Sequence, residues 1–433
     1  MQYAIPAIIA MAASSLYNII DGIFIGQGVG PEAIMGLALT QPFMSLTAAF
    51  GAMVGVGAST LMSVRLGQKD YDTAQHILGN VIVMNVVMGL GLGLILLVLL
   101  DPILLFFGAS QQTLPYAHDF MSIILIGNVV THLYLGLNAL LRSTSRPKQA
   151  MYATIGTVLI NIVLAPLFIY AFRWGIRGAA LATVTAQLLV LLWQFRLFSR
   201  PGEMIRLRHG IYRLRRKIVT ESLTIGLAPF LINLCACLVV VVINQNMVRY
   251  GGDIAVGAYG IANRLVFLVV MIVIGLNQGM QPIAGYNFGA KRYDRLLGVL
   301  RYALIYGTVI TTTGFLVGVF FAEPCARAFT TDPELIERSA HGLRIITLVF
   351  PVVGIQIVST SFFQSIGYAG KSIFLSLTRQ LLFLLPLLFV MPHFFAKPIQ
   401  GVWYAIPTAD AISCVVAIVM LITQVRKFRK QPA

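Results

Sequence analysis

Apolar runs of about twenty residues or more recur along the whole chain, broken by short polar stretches. The breaks predict twelve helices, at approximately 3–26, 33–62, 76–100, 116–141, 150–172, 175–198, 218–248, 254–283, 298–322, 338–363, 372–396 and 399–425. Runs of this length can cross about 30 Å of hydrocarbon as helices. Composition points the same way. Of 433 residues, 58% are hydrophobic and only 11% charged, whereas soluble domains carry about 25% charged residues. The expectation is an all-α polytopic membrane protein.

The polar breaks alternate in basic content. After the second, fourth, sixth, eighth, tenth and twelfth helices come Arg65 and Lys69, then Arg142, Arg146 and Lys148, then SRPGEMIRLRHGIYRLRRK at 199–217, AKRYDR, Lys371, and the tail RKFRK. The intervening breaks hold few cations. By the positive-inside rule these loops and both termini are cytoplasmic. The net charge of +16 is then mainly a topology signal, not a nucleic-acid footprint, with anionic-lipid binding by 199–217 a secondary expectation. Cys235, Cys237, Cys325 and Cys414 form no disulfide framework and read as small buried hydrophobes. The first apolar run is long and lacks a basic leader, so no cleavable signal is expected. Its abrupt start leaves room for a cytoplasmic lead segment.

The chain repeats itself. RLGQKDYD at 65–72 matches NFGAKRYD at 287–294 with an offset of 222, and the same offset pairs Gly30 with Gly252, Ala33 with Ala255, and DP at 101–102 with EP at 323–324. One residue later, Gly178 falls over Gly401. Each unit holds six helices, and an even number returns the chain to its starting side. The halves are therefore parallel repeats, as in transporters with an axis along the membrane normal. This gives a first lobe at 1–198, a basic linker at 199–217 and a second lobe at 218–433. Two similar six-helix bundles create a central cleft, which points to a transporter.

Few ionisable residues lie inside the predicted spans: Asp21, Arg264, Arg344, Arg379 and Asp410. Glu221 and Asp119 sit near span ends, and Arg344 and Glu221 read as structural ion pairs. A charge in hydrocarbon costs roughly 2.5–3.5 kcal/mol on insertion scales. Counting about 1.5 Å per residue from the outer end of each helix, Asp21 lies about 8 Å deep, position 165 about 10 Å, Thr183 about 12 Å and Asn161 about 16 Å. They can share one polar layer, in which Asn161 and Thr183 hold a carboxylate or complete a cation shell. Desolvation disfavours the charged form of a carboxyl, which suits reversible protonation. Asp21 thus reads as a coupling site for a proton or Na⁺. GLGLG at 89–93 lies mid-helix without a preceding strand, so it is no nucleotide loop. There is no Walker motif, HEXXH or serine elbow, so neither an enzyme nor a bound cofactor is expected. Met53 and Met280 are adaptable pocket candidates.

LYNIIDGIFIGQGVG at 16–30 and GLNQGMQPIAGYNFGAKRYDR at 275–295 closely resemble the MATE (multidrug and toxic compound extrusion) family, most of all its bacterial MepA-type pumps. The resemblance implies a V-shaped fold of two six-helix bundles in the bacterial inner membrane. It also implies extrusion of cationic, aromatic drugs and dyes in exchange for H⁺ or Na⁺ by alternating access. Its span-1 acid matches Asp21, with Tyr17 one turn earlier; its span-5 asparagine matches Asn161 and its span-6 threonine Thr183. One position departs. Where the family commonly has Asp before the span-5 proline, NIVLAPLFIY has Ala165, which removes a like-charge neighbour and two oxygens from any cation shell. In the second bundle Asp410 either pairs with Arg379 or offers cationic drugs a negative site. The substrate-facing candidates are thus Asp410, Arg379, Met53, Met280 and Gln281. Partners are small cationic molecules and membrane lipids, and the chain is expected to act as a monomer. The rival reading is a flippase for lipid-linked precursors on the same fold.

Overall fold

The computed structural model describes residues 2–29, 31–106 and 110–430. Among them there are helices and turns but no strand. In chain order the helices are α1 (Ala4–Gly28), α2 (Pro31–Gly67), α3 (Tyr71–Val98), α4 (Leu100–Phe106), α5 (Leu114–Ile126), α6 (Asn128–Ser143), α7 (Pro147–Pro166) and α8 (Gly175–Phe198), followed by α9 (Arg216–Gly289). Then come α10 (Tyr293–Phe320), α11 (Ala322–Arg327), α12 (Pro333–Thr347), α13 (Phe350–Ser365), α14 (Ala369–Leu377), α15 (Leu385–Val390) and α16 (Pro398–Arg429). At Gly252, φ is +70°, a left-handed conformation that glycine adopts without steric cost. It breaks α9 into two spans, Arg216–Gly252 and Ile254–Gly289.

By length and composition nine described helices can each cross a membrane, and two bent pairs raise this to eleven. α1, whose apolar run Ala4–Tyr17 is shorter, takes the place of the first predicted span. The multi-pass all-α architecture expected from the sequence is therefore observed. The chain divides into two compact units, Met1–Phe230 and Leu231–Ala433.

The repeat is visible in the backbone itself. α5–α6 and α12–α13 are each bent by 56°, at Gly127 and at Val349, one repeat apart. In both repeats the helix before the bend is short, and the one after it is largely buried. Lys69 and Lys291 both take a left-handed conformation, with φ of 62° and 56°. In each case the amide of the next residue closes a turn onto the carbonyl five residues back, Asp70 on Arg65 and Arg292 on Asn287, both at 2.9 Å. Helix packing repeats as well. α3 lies against α6 and α6 against α8 in the first unit; α10 lies against α13 and α13 against α16 in the second.

Within the first unit, α2 packs on α3, α5 and α6, and the start of α9 is clasped to it. A Cβ on Gly57 would overlap the Ser222 carbonyl, and one on Gly226 would overlap that of Met53. This is the small-residue contact by which membrane helices approach closely. Phe50 and Phe230 flank it on one side, with ring centroids 4.6 Å apart. On the other side Arg65 donates to Glu221 at 3.0 Å, which is the structural ion pair expected of Glu221. Arg344 likewise pairs with Glu323, at 3.6 Å.

Candidate functional site

Tyr17 and Asp21 stand four residues apart on α1, hence on one face of it. That face meets α7 and α8. Pro166 lacks an amide hydrogen and crowds the preceding turn, and the helix loosens there into a π-helical turn, Leu167–Ala171. Such turns are frequent at functional positions. The loosened turn packs closely on both neighbours. A Cβ at Gly178 of α8 would meet the Phe168 carbonyl at 2.9 Å, and the Tyr170 hydroxyl donates to the Phe24 carbonyl of α1 at 3.1 Å.

Before the proline, Asn161 and Thr183 of the expected layer are joined by Tyr17. Asn161 Nδ2 donates to the Tyr17 hydroxyl at 3.3 Å and to Thr183 Oγ1 at 3.1 Å. Thr183 Oγ1 donates to the Ala179 carbonyl at 3.2 Å, one turn back on its own helix. With the threonine proton committed there, the 3.0 Å contact between Tyr17 and Thr183 requires Tyr17 to donate. Asn161 and Tyr17 thus donate within the set, while Thr183 donates to the backbone of its own helix. Asp21 is 8% exposed, and its Oδ1 is buried with no hydrogen-bond partner. Ala165 is fully buried in an apolar cluster with Ile25, Ile169, Ile176 and Ala179. A methyl and its apolar neighbours therefore occupy the position where the resembling family commonly has a second acid.

The second unit treats its acid differently. Asp410 on α16 is 2% exposed and takes a two-pronged contact from Arg379, Nε to Oδ1 at 2.6 Å and Nη2 to Oδ2 at 3.3 Å. Arg379 sits on a second π-helical segment, Thr378–Leu384. Of the two alternatives open for Asp410, the structure has the ion pair. The remaining candidates lie apart. Met280 is 4% exposed in a core cluster with Val273, Phe362 and Phe363. Gln281, next to it on α9, is half-buried. Met53 is half-buried on α2, with its carbonyl against Gly226.

Sequence reasoning passed over three buried neutral residues. His132 is fully buried on α6 and donates from Nε2 to the Thr47 carbonyl at 3.0 Å, which leaves Nδ1 as a bare acceptor without a partner. Asn85 and Asn277 are buried with both amide atoms unpartnered. A polar side chain in the middle of an apolar run was the available signal for all three.

A helical repeat of membrane-crossing length, with a polar layer around a buried lone acid in its first half, defines a polytopic transporter. The comparisons place it. The MatE family model matches residues 6–167 and 226–390. The chain is 27% identical over 417 residues to the multidrug export protein MepA of Staphylococcus haemolyticus, covering 96% of this chain and 91% of that protein. It is 25% identical over 426 residues to MepA of Staphylococcus aureus, with 98% and 93% covered. Among solved structures, a ligand complex of the MATE multidrug transporter DinF-BH aligns with a TM-score of 0.91 and 33% identity, covering 99% of this chain and 96% of that one. A multidrug resistance MATE family transporter of the MOP superfamily aligns with a TM-score of 0.92 and 23% identity, over 99% and 96%. The chain belongs to the MatE family of multidrug efflux transporters.

Proposed function

We propose that this protein is a proton-coupled antiporter that expels small cationic, aromatic compounds, with Asp21 as the coupling acid and both termini in the cytoplasm. The observation that carries the reading is the Asp21 carboxyl, buried in the first unit with Oδ1 unpartnered. A carboxylate left so in hydrocarbon is costly, and a proton removes the charge without any new ligand. Na⁺ would need several oxygens at about 2.3–2.5 Å by analogy with other hard cations. Ala165 provides none, and Asn161 offers the layer its amide hydrogens. When Asp21 is ionised, a turn of the Tyr17 hydroxyl from Thr183 to the carboxylate gives the charge a donor; when it is protonated, the closed Tyr17–Asn161–Thr183 set re-forms. Alternation between these two arrangements links proton occupancy to how α1 packs on α7 and α8.

The chain reconstituted in liposomes would be followed for transport of ethidium, a fluorescent aromatic cation, under an imposed pH gradient and, separately, under a Na⁺ gradient. Proton coupling predicts transport driven by the pH gradient alone and lost in Asp21→Asn. Transport driven by Na⁺, or retained in Asp21→Asn, would overturn the assignment.

A further inference from the structure

The basic stretch between the two sets of six spans is held in place by side chains. On α3, Gln75 Oε1 accepts from the Arg206 amide at 3.1 Å and Gln75 Nε2 donates to the Arg206 carbonyl. Asn80 Nδ2 donates to the Arg213 carbonyl at 3.0 Å, and Asn80 Oδ1 accepts from the Arg215 amide at 2.8 Å. Both amide side chains are buried, and Ile205 and Ile211 are buried beneath the strap. Gly79 lets the strap lie flat, because a Cβ there would overlap the Ile211 carbonyl. Two charges are consumed in fixing it: Glu203 pairs with Arg146, and Arg215 pairs with Asp72 at 3.2 Å.

The outward face of the strap is different. Arg208, Arg213, Arg216 and Lys217 are exposed, and among the described residues none of them has an ion-pair partner. Interleaved with them, Met204, Tyr212 and Leu214 are 62%, 42% and 51% exposed. A topology signal needs only the charges; it needs neither a rigid strap nor apolar side chains turned outward among them. Cations alternating with Met, Tyr and Leu on a fixed surface suit a segment at headgroup level, with apolar tips toward the acyl boundary and cations on phosphates. The strap belongs to a membrane protein and lies at the end of the first unit where α1 and α3 begin.

We propose that the outward face of residues 204–217 is a docking surface for the anionic phospholipids of the protein's own bilayer. The inference is independent of what the chain transports. It would be tested on the full-length protein in detergent, stripped of lipid and then offered phosphatidylglycerol and phosphatidylcholine with matched acyl chains, with retained lipid read by native mass spectrometry. Each cation at an anionic surface contributes up to about five-fold, so four partly screened ones predict a preference for phosphatidylglycerol of at least about ten-fold. That preference falls as salt is raised. The variant carrying Arg208→Gln, Arg213→Gln, Arg216→Gln and Lys217→Gln keeps the strap's anchors and loses most of the preference. Equal retention of the two lipids, a preference insensitive to salt, or an unchanged preference in the variant would overturn the proposal. So would displacement of the lipid by soluble polyanion at equal charge, which would make the surface an acidic-partner site. The salt series uses the unaltered protein, so the test stands even if the variant fails to fold.

Discussion

Among the described residues, each half of the molecule buries one carboxylate within its spans, and the two are handled in opposite ways. Asp21 stands one turn from Tyr17, whose hydroxyl is engaged with Asn161 and Thr183, and its Oδ1 is left without a partner. Asp410 is gripped by both arms of the Arg379 fork. A bidentate guanidinium–carboxylate contact holds both charges in place, and removing either leaves the other buried alone. Under the proposed mechanism, a carboxyl without a fixed counter-charge is the one whose charge can change. The two halves thus hold their buried acids differently, one with an unpartnered oxygen and the other in an ion pair.

The largest expected effect removes the variable acid. Asp21→Asn keeps the shape and the burial and should reduce gradient-driven ethidium transport to the background of empty liposomes, with little change in thermal stability. The matching change in the second half should act on the fold. Asp410→Ala leaves the half-buried Arg379 without its partner and is expected to cost about 3 kcal/mol, the low end for breaking a buried pair. Replacing both with Leu should be far milder, since an apolar pair of similar volume is often neutral or stabilising. Melting in detergent separates these outcomes. If Asp410→Ala were harmless to stability and abolished transport, the contrast between the two acids would fail. Next in size is Ala165→Asp, which puts a second carboxyl into the apolar cluster beside Asp21. It should lower stability by about 2.5–3.5 kcal/mol without raising transport. A marked gain in transport would show instead that Ala165 limits the native cycle.

Much of this arrangement was legible in the chain. The twelve apolar runs anticipated the spans, and the 222-residue offset paired the two segments that hold the turns at Lys69 and Lys291. Counting helix rise brought Asp21, Asn161 and Thr183 into the same outer half of the first bundle, because depth along a helix depends only on residue number. What depth could not supply was orientation. That Tyr17, Asn161 and Thr183 bond to each other and leave Asp21 Oδ1 bare follows from side-chain rotamers and from the loosening of α7 after Pro166. The two 56° bends were also hidden, since Gly127 and Val349 both sit within continuous apolar runs. The strap on α3 was read as a linker because its anchors, Gln75 and Asn80, are neutral residues far away in the chain.

The smallest test uses the paired turns. In both repeats a left-handed lysine is followed by the residue that caps the next helix. Asp70 fills that place before α3 and accepts from the Thr73 amide at 3.1 Å, whereas Arg292 fills it before α10 and makes no capping bond. The backbone angles are nearly the same, −84° and 74° against −87° and 72°, so the second turn can seat a capping acid without rearrangement. Arg292→Asp should therefore stabilise the protein by about 1 kcal/mol, the usual worth of an N-cap side chain, and Asp70→Ala should cost a similar amount. The hydrogen bond from Thr73 holds the Asp70 carboxyl below the ordinary carboxylate range. A group depressed in the folded state stabilises above its unfolded pKa and loses that contribution as the pH falls through the folded value. The gain from Arg292→Asp should accordingly be present in melting curves at neutral pH and fade on acidification below about pH 4. A gain that persists in acid would come from relief of repulsion among Lys291, Arg292 and Arg295 and would leave the cap unformed.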